Sequence, residues 1–286
     1  MAHFSLKGFF RLVRLPVSVA VTFSAFTAWV LFTGSLTMTW ILPVTGIFIL
    51  AAGASALNQY QEREFDARME RTRIRPIPVG AITPCAALIV SLLLIFSGLI
   101  LLFFFAGLTC FIMGLFNISW YNGLYTWLKR RSAFAVVPGA LTGAVPVMMG
   151  WSAAGGGIFD PPVIFLSLFL FFWQMPHFWL LMLKYGDDYR KAGYPVLPDL
   201  FTDEQIKRLI MVWLAAASSV SLFMILFGFF SIPLTAVLLL VVNLLLLVMV
   251  FHELFRAPVI RYRRIFFAAN LFMLLVMGFL LADRLL

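Results

Sequence analysis

Ionisable side chains are scarce in this sequence. Asp, Glu, Lys and Arg make up 12% of its 286 residues, with 12 acids against 21 Lys and Arg. Soluble domains carry about 25% charged residues, so an ordinary water-facing globule is excluded. Cysteine occurs twice, as Cys85 and Cys110, without a C-x-x-C pair. That excludes a disulfide scaffold and a cysteine zinc site, and leaves both residues as expected small apolar packers. Alternation of polar and apolar residues is missing too. Runs such as LIVSLLLIFSGLILLFFFAG do not follow the ~10-residue alternating segments of a transmembrane β-barrel. The first apolar segment lacks a convincing small-residue cleavage site and is expected to stay as a span.

What fills the chain instead is hydrophobic side chain, 63% of all residues. A helix needs roughly 20 apolar residues to cross ~30 Å of hydrocarbon. Nine segments qualify: Pro16–Thr33, Trp40–Tyr60, Cys85–Phe105, Leu108–Leu128, Phe134–Ala154, Pro162–Leu183, Leu209–Phe230, Ile232–Phe251 and Ile265–Leu281. None contains a charged residue. The expected class is therefore all-α: one polytopic domain over residues 1–286, with about nine transmembrane helices.

The net charge of +9 does not point to nucleic acid, because its placement is topological. If nine spans alternate, 20 of the 21 basic residues fall on one side, in the N-terminal segment and the even-numbered connections; Arg284 alone lies opposite. Cytoplasmic loops collect Lys and Arg, so the N-terminus and that face are expected inside. Ten of the 12 acids share this face, Asp160 and Asp283 excepted. A transporter would place its polar residues near the bilayer midplane. Here they sit at the inner mouth, which suits a ligand with a charged head and a greasy tail drawn from membrane lipid.

Three stretches carry the candidate chemistry. NQYQEREFDARMERTRIRP, Asn58 to Pro76, holds nine charged side chains between Asn58 and Arg75. On a helix, residues four apart drift by about 40°, so Asn58, Glu62 and Asp66 share a face and rise ~12 Å. Such oxygens suit Mg²⁺, which binds through one or two carboxylates plus substrate phosphates. Arg68, Arg71, Arg73 and Arg75 follow and could grip those phosphates. In WQMPHFWLLMLKYGDDYRKAGYPVLPD, Trp173 to Asp199, a continuing helix would align His177, Lys184 and Asp188, with Trp173 one turn before and Asp187 completing an acidic pair. In NISWYNGLYTWLKRR, Asn117, Tyr121 and Tyr125 lead to Lys129 and Arg130 at the inner surface. The following PGALTGAVPVMMGW holds Gly139 and Gly143 in a small-xxx-small arrangement that helix packing explains.

With these stretches in view the sequence resembles the UbiA superfamily of intramembrane prenyltransferases, and most closely its haem-farnesylating branch. The superfamily's first acidic motif, N-x3-D-x3-D, is matched by Asn58 and Asp66, with Glu62 standing for its first aspartate. DARMERTRIRP, WQMPH and DY-x2-AG-x-PVLP match the haem branch more specifically. The likeness runs from about Leu6 to Leu200.

The resemblance implies farnesyl diphosphate as donor, haem b as acceptor and Mg²⁺ as cofactor. The metal set would be Asn58, Glu62, Asp66 and Asp188, with Asp187 as a second acid. Arg68, Arg71, Arg75, Lys129, Arg130 and Lys184 would surround the diphosphate. Tyr121, Tyr125 and Trp173 would line the substrate pocket. His177 would act on the haem, as an axial ligand, a propionate partner or a base. Two rivals remain at this point: a related transferase with an aromatic or quinone-precursor acceptor, and a transporter or scaffold holding anionic lipid.

Overall fold

The charge-free runs become helices, and the protein is an all-helical polytopic membrane protein. A computed structural model describes residues 5–286. Ser5 caps the short α1 (Leu6–Leu12) by accepting from the Gly8 amide at 3.0 Å. α2 (Leu15–Thr33) starts after Arg14 and closes on Gly34, whose left-handed backbone (φ 64°) ends the helix. α3 (Ile41–Asp66) has 26 residues, ~39 Å of helix, and so outreaches ~30 Å of hydrocarbon. Its surplus lies at the charged end, where Glu62 and Asp66 sit.

α4 (Pro84–Ile118) continues through a π-helical turn (Ser119–Tyr125) into α5 (Thr126–Leu128), 45 residues in all. Among the described residues it is the one long segment that doubles back. Gly107, at φ 83° and ψ 172°, breaks the helix. Around it Phe103 and Phe111 come within 5.5 Å, although eight residues of straight helix would separate them by ~12 Å. Leu99, Leu102 and Gly114 also meet across the turn. The eight long apolar helices among the described residues therefore make nine crossings, as the runs on either side of Gly107 predict.

The remaining elements are α6 (Val136–Ala153), α7 (Pro161–Lys184), the short α8 (Gly186–Lys191), α9 (Asp203–Leu226), α10 (Pro233–Phe255) and α11 (Tyr262–Leu285). α2, α3, α4, α6, α7, α9, α10 and α11 pack in succession, and α11 returns against α2 and α7, so the helices close a ring. Polar staples hold it inside the membrane. Asn243 Oδ1 accepts from Ser218 Oγ at 2.5 Å and Ser221 Oγ at 3.0 Å, joining α9 to α10. Asp283 on α11 accepts from the amides of Ser231 and Ile232, at 2.7 and 2.9 Å, which caps the start of α10. Cys110 is buried as expected and donates to the Met149 carbonyl at 3.0 Å; Cys85, at the start of α4, is exposed instead.

Candidate active site

The charged end of α3 is the foundation of the site. Asn58, Glu62 and Asp66 lie on one side of an uninterrupted helix and are all buried, at 1%, 3% and 1% exposure. Each meets a partner from another part of the chain, as buried polar groups must. Asn58 Nδ2 donates to Thr126 Oγ1 at 3.2 Å. Glu62 pairs with the Lys129 ammonium. Asp66 Oδ2 accepts from Arg75 Nη1 at 2.6 Å, while the buried Asp66 Oδ1 has no hydrogen-bond partner among the described residues.

The segment 67–83 folds back over this end. Thr72 Oγ1 donates to the Asp66 carbonyl at 2.9 Å. The next turn presents Arg71, whose backbone N–H donates to Asp188 Oδ2 at 3.1 Å and whose Nη2 donates to the Tyr189 hydroxyl at 3.0 Å. Arg71 also lies over the ring of Tyr185 at 5.1 Å.

Across the opening stands the π-helical turn. Its widened turn offsets the usual drift of an α-helix, so Asn117, Tyr121, Tyr125 and Lys129 all face one cavity. The two tyrosine rings stack at 5.8 Å and 15°. A Cβ on Gly139 would lie 2.5 Å from the Tyr125 ring, and one on Gly143 would lie 2.2 Å from Gln174. The two glycines therefore make room for cavity side chains. They let α6 pack closely against the π-helical turn and α7, as their small-xxx-small spacing suggests.

Together these groups enclose a cavity of about 330 Å³. Arg14, Arg71, Arg75 and Lys129 line its charged end with Glu62 and Asp66; Val21, Ile47, Leu50 and Met149 line its depth. Polar mouth and apolar interior are thus continuous. His177 of α7 lines it as well, with Nδ1 3.0 Å from Asn270 Oδ1.

Arg14 and Tyr194 are among the lining residues that sequence reasoning did not single out. Arg14 counts there only as a topological anchor. In the structure its left-handed backbone (φ 49°), uncommon outside glycine, turns the side chain inward, and Nη1 reaches the Tyr121 hydroxyl at 3.5 Å. The signal available was the Arg-Leu-Pro sequence at a helix start. Tyr194 lies inside a quoted motif without a role. It is 4% exposed, and its hydroxyl has no hydrogen-bond partner among the described residues. Burial, and then the nearby Glu62 and Asp66, push that hydroxyl well above the ordinary tyrosine range. It therefore stays protonated and able to donate.

Other expected residues stay outside the cavity lining. α7 stops at Lys184, and Tyr185 (φ −119°, ψ 24°) leaves the helix before α8 begins. His177 and Lys184 thus share α7 as expected, but the continuation of that helix to Asp188 is corrected. Asp188 reaches the site only through the Arg71 amide. Asp187 is turned to solvent, 89% exposed, and pairs with Arg190 at 3.2 Å. Lys184 lies over Tyr185 at 4.8 Å, away from the cavity. Arg130 donates to the Gln61 carbonyl at 2.9 Å and covers Phe65, which Arg68 approaches at 5.8 Å. Trp173 donates to the Ala269 carbonyl at 2.7 Å and is a wall support behind His177.

The profile of the UbiA prenyltransferase family matches residues 17–276. The chain belongs to this family. It is 37% identical over 216 residues to a protoheme IX farnesyltransferase of Nitratidesulfovibrio vulgaris, covering 76% of this chain and 75% of that one. A protoheme IX farnesyltransferase 2 of Bacillus subtilis is 35% identical over 227 residues, 76% of this chain and 73% of the relative. The fold matches that of a digeranylgeranylglyceryl phosphate synthase at a TM-score of 0.80 and 17% identity, over 98% of each chain. A UbiA homologue of Archaeoglobus fulgidus bound to GPP and Mg²⁺ matches at 0.64 and 14% identity, over 96% of this chain and 99% of that one.

The donor set bears on a metal. Among the described residues no three His, Cys, Asp or Glu side chains converge as a self-sufficient cage. What converges is two buried carboxylates and an amide, with the Asp66 Oδ1 oxygen unpartnered. That is an incomplete oxygen set of the kind Mg²⁺ uses when substrate phosphates supply the remainder.

Proposed function

We propose that the protein, working as a single domain in a bacterial inner membrane with its charged end to the cytoplasm, farnesylates protohaem. It would transfer the farnesyl group of farnesyl diphosphate to a vinyl carbon of haem b, with water adding to the neighbouring carbon, to give haem O and diphosphate. The names of the relatives support the donor and acceptor. The observation that carries the reading is the single cavity that joins buried carboxylates and four basic side chains to an apolar interior.

The farnesyl chain lies among Val21, Ile47, Leu50 and Met149, and its diphosphate lies at the charged mouth. Mg²⁺, when bound, would be held by Asn58, Glu62 and Asp66 and would supply charge that stabilises the departing diphosphate. Arg14, Arg71, Arg75 and Lys129 place further positive charge where negative charge develops. The allylic C–O bond breaks, and its electron pair leaves with diphosphate. The vinyl π bond then attacks the allylic cation and forms the new C–C bond. Water oxygen bonds to the carbon next to the porphyrin and loses a proton. Tyr121 and Tyr125 offer π faces to the allylic cation, and the apolar walls keep water away until the C–C bond exists.

The test is a haem extract of cells expressing the chain, read by mass. A farnesylated, hydrated haem is expected. Unmodified haem b beside prenylated aromatic compounds would replace this reading with the aromatic-acceptor one. No new product of either kind would favour a transporter or scaffold.

A further inference from the structure

His177 is held on every side but one. Its ring lies between Trp173 and Phe266, with centroids 4.9 and 4.8 Å away, and Phe178 meets it edge-on at 5.4 Å. Its Nδ1 lies 3.0 Å from Asn270 Oδ1 on α11. Asn270 Nδ2 donates to the Phe266 carbonyl at 2.6 Å, which sets the orientation of the amide and leaves Oδ1 as the atom that His177 meets. An amide oxygen can only accept, so His177 Nδ1 carries the proton. In the neutral ring Nε2 then holds the lone pair. Nε2 has no partner among the described residues, and the side chain lines the cavity. One residue along α11, the Ala269 carbonyl accepts from Trp173 Nε1 at 2.7 Å, a second tie that keeps α7 and the ring in register with α11.

An imidazole whose Nδ1–H is fixed by an oxygen acceptor and whose Nε2 faces an enclosed space is arranged as metal-binding histidines are. Its softness suits iron, whereas Mg²⁺ takes the oxygens at the mouth. Resting on the acceptor proposed above, we infer that His177 Nε2 ligates the iron of protohaem in this cavity, and that Asn270 is the positioning residue that sets its tautomer. Ligation orients the macrocycle, so that a vinyl edge is presented to the allylic carbon rather than turning freely.

The experiment mixes purified protein in detergent with protohaem IX, without donor, and records absorption and electron paramagnetic resonance spectra. An imidazole-ligated iron is expected for the unaltered protein. His177→Gly should lose that signature and regain it on adding free imidazole. Asn270→Leu should keep the signature but bind protohaem about 10- to 100-fold more weakly. Both variants should bind farnesyl diphosphate within about twofold of the parent, which also reports that they fold. A variant-free comparison stands beside these: the unaltered protein should bind protohaem at least tenfold more tightly than iron-free protoporphyrin IX. Equal affinity for the two, or an unchanged spectrum in His177→Gly with haem still bound, would overturn iron ligation while leaving the acceptor intact. Lost turnover with an unchanged iron spectrum would assign His177 to proton transfer and overturn it too. Failure of the unaltered protein to bind protohaem at all would remove the acceptor reading and this inference together.

Discussion

The two acidic motifs look alike as sequence and differ in the folded chain. Asn58, Glu62 and Asp66 sit on a helix that runs unbroken past the membrane rim, and neighbouring segments cover them to within 3% exposure. Asp187 and Asp188 follow a break at Tyr185. One points into water and the other holds a backbone amide. Helix continuity decides the outcome. An acid on a continuing helix keeps the face set by its spacing, whereas one past a break takes whatever direction the loop gives it. The first motif therefore meets substrate on the proposed reading, and the second supports the loop that carries Arg71.

Substitutions can break or sharpen this contrast. Asp66→Asn should have the largest effect, lowering kcat by on the order of 10²-fold, since it removes the charge and leaves a single oxygen to serve either the metal or Arg75. Steady-state turnover with detergent-solubilised protein checks it, alongside a melting curve showing retained fold; normal turnover would end the metal role. Tyr194→Phe comes next. Loss of one donor to a charged oxygen is worth about 1.5–3 kcal/mol, hence a loss of roughly tenfold or more in kcat/KM. Should its turnover match the parent, the buried hydroxyl has no part in diphosphate binding. Asp188→Asn keeps an oxygen for the Arg71 amide, so a drop of only about threefold is expected, seen in KM for the donor. A fall as large as that of Asp66→Asn would restore the second motif to the metal. Asp187→Asn should change neither kcat nor KM, since exposed ion pairs contribute about 0–1 kcal/mol.

Much of this was legible before any coordinates. The nine crossings follow from charge-free runs because hydrocarbon excludes charge, and Gly107 marks the reversal inside the longest run. The face of α3 follows because nothing interrupts its period. Reasoning from an ideal helix failed where the backbone departs from one. The stop at Lys184 displaced Asp188 from the face of His177. The π-helical turn kept Tyr121 and Tyr125 together by a means that spacing does not reveal. Arg14 was hidden differently: a cation near a membrane rim serves orientation in either case, and only its left-handed backbone separates the anchor from the cavity residue.

The pairing of Glu62 with Lys129 and Asp66 with Arg75 has a consequence for how a charged ligand enters a greasy protein. Stripping these four ions of water is accomplished when the chain folds. On the proposed reading, arrival of magnesium and the donor's diphosphate can then proceed as a swap of counter-ions, the acids passing to the metal and the bases to the phosphates. Such an exchange changes the net charge among these four paired groups and their guests little.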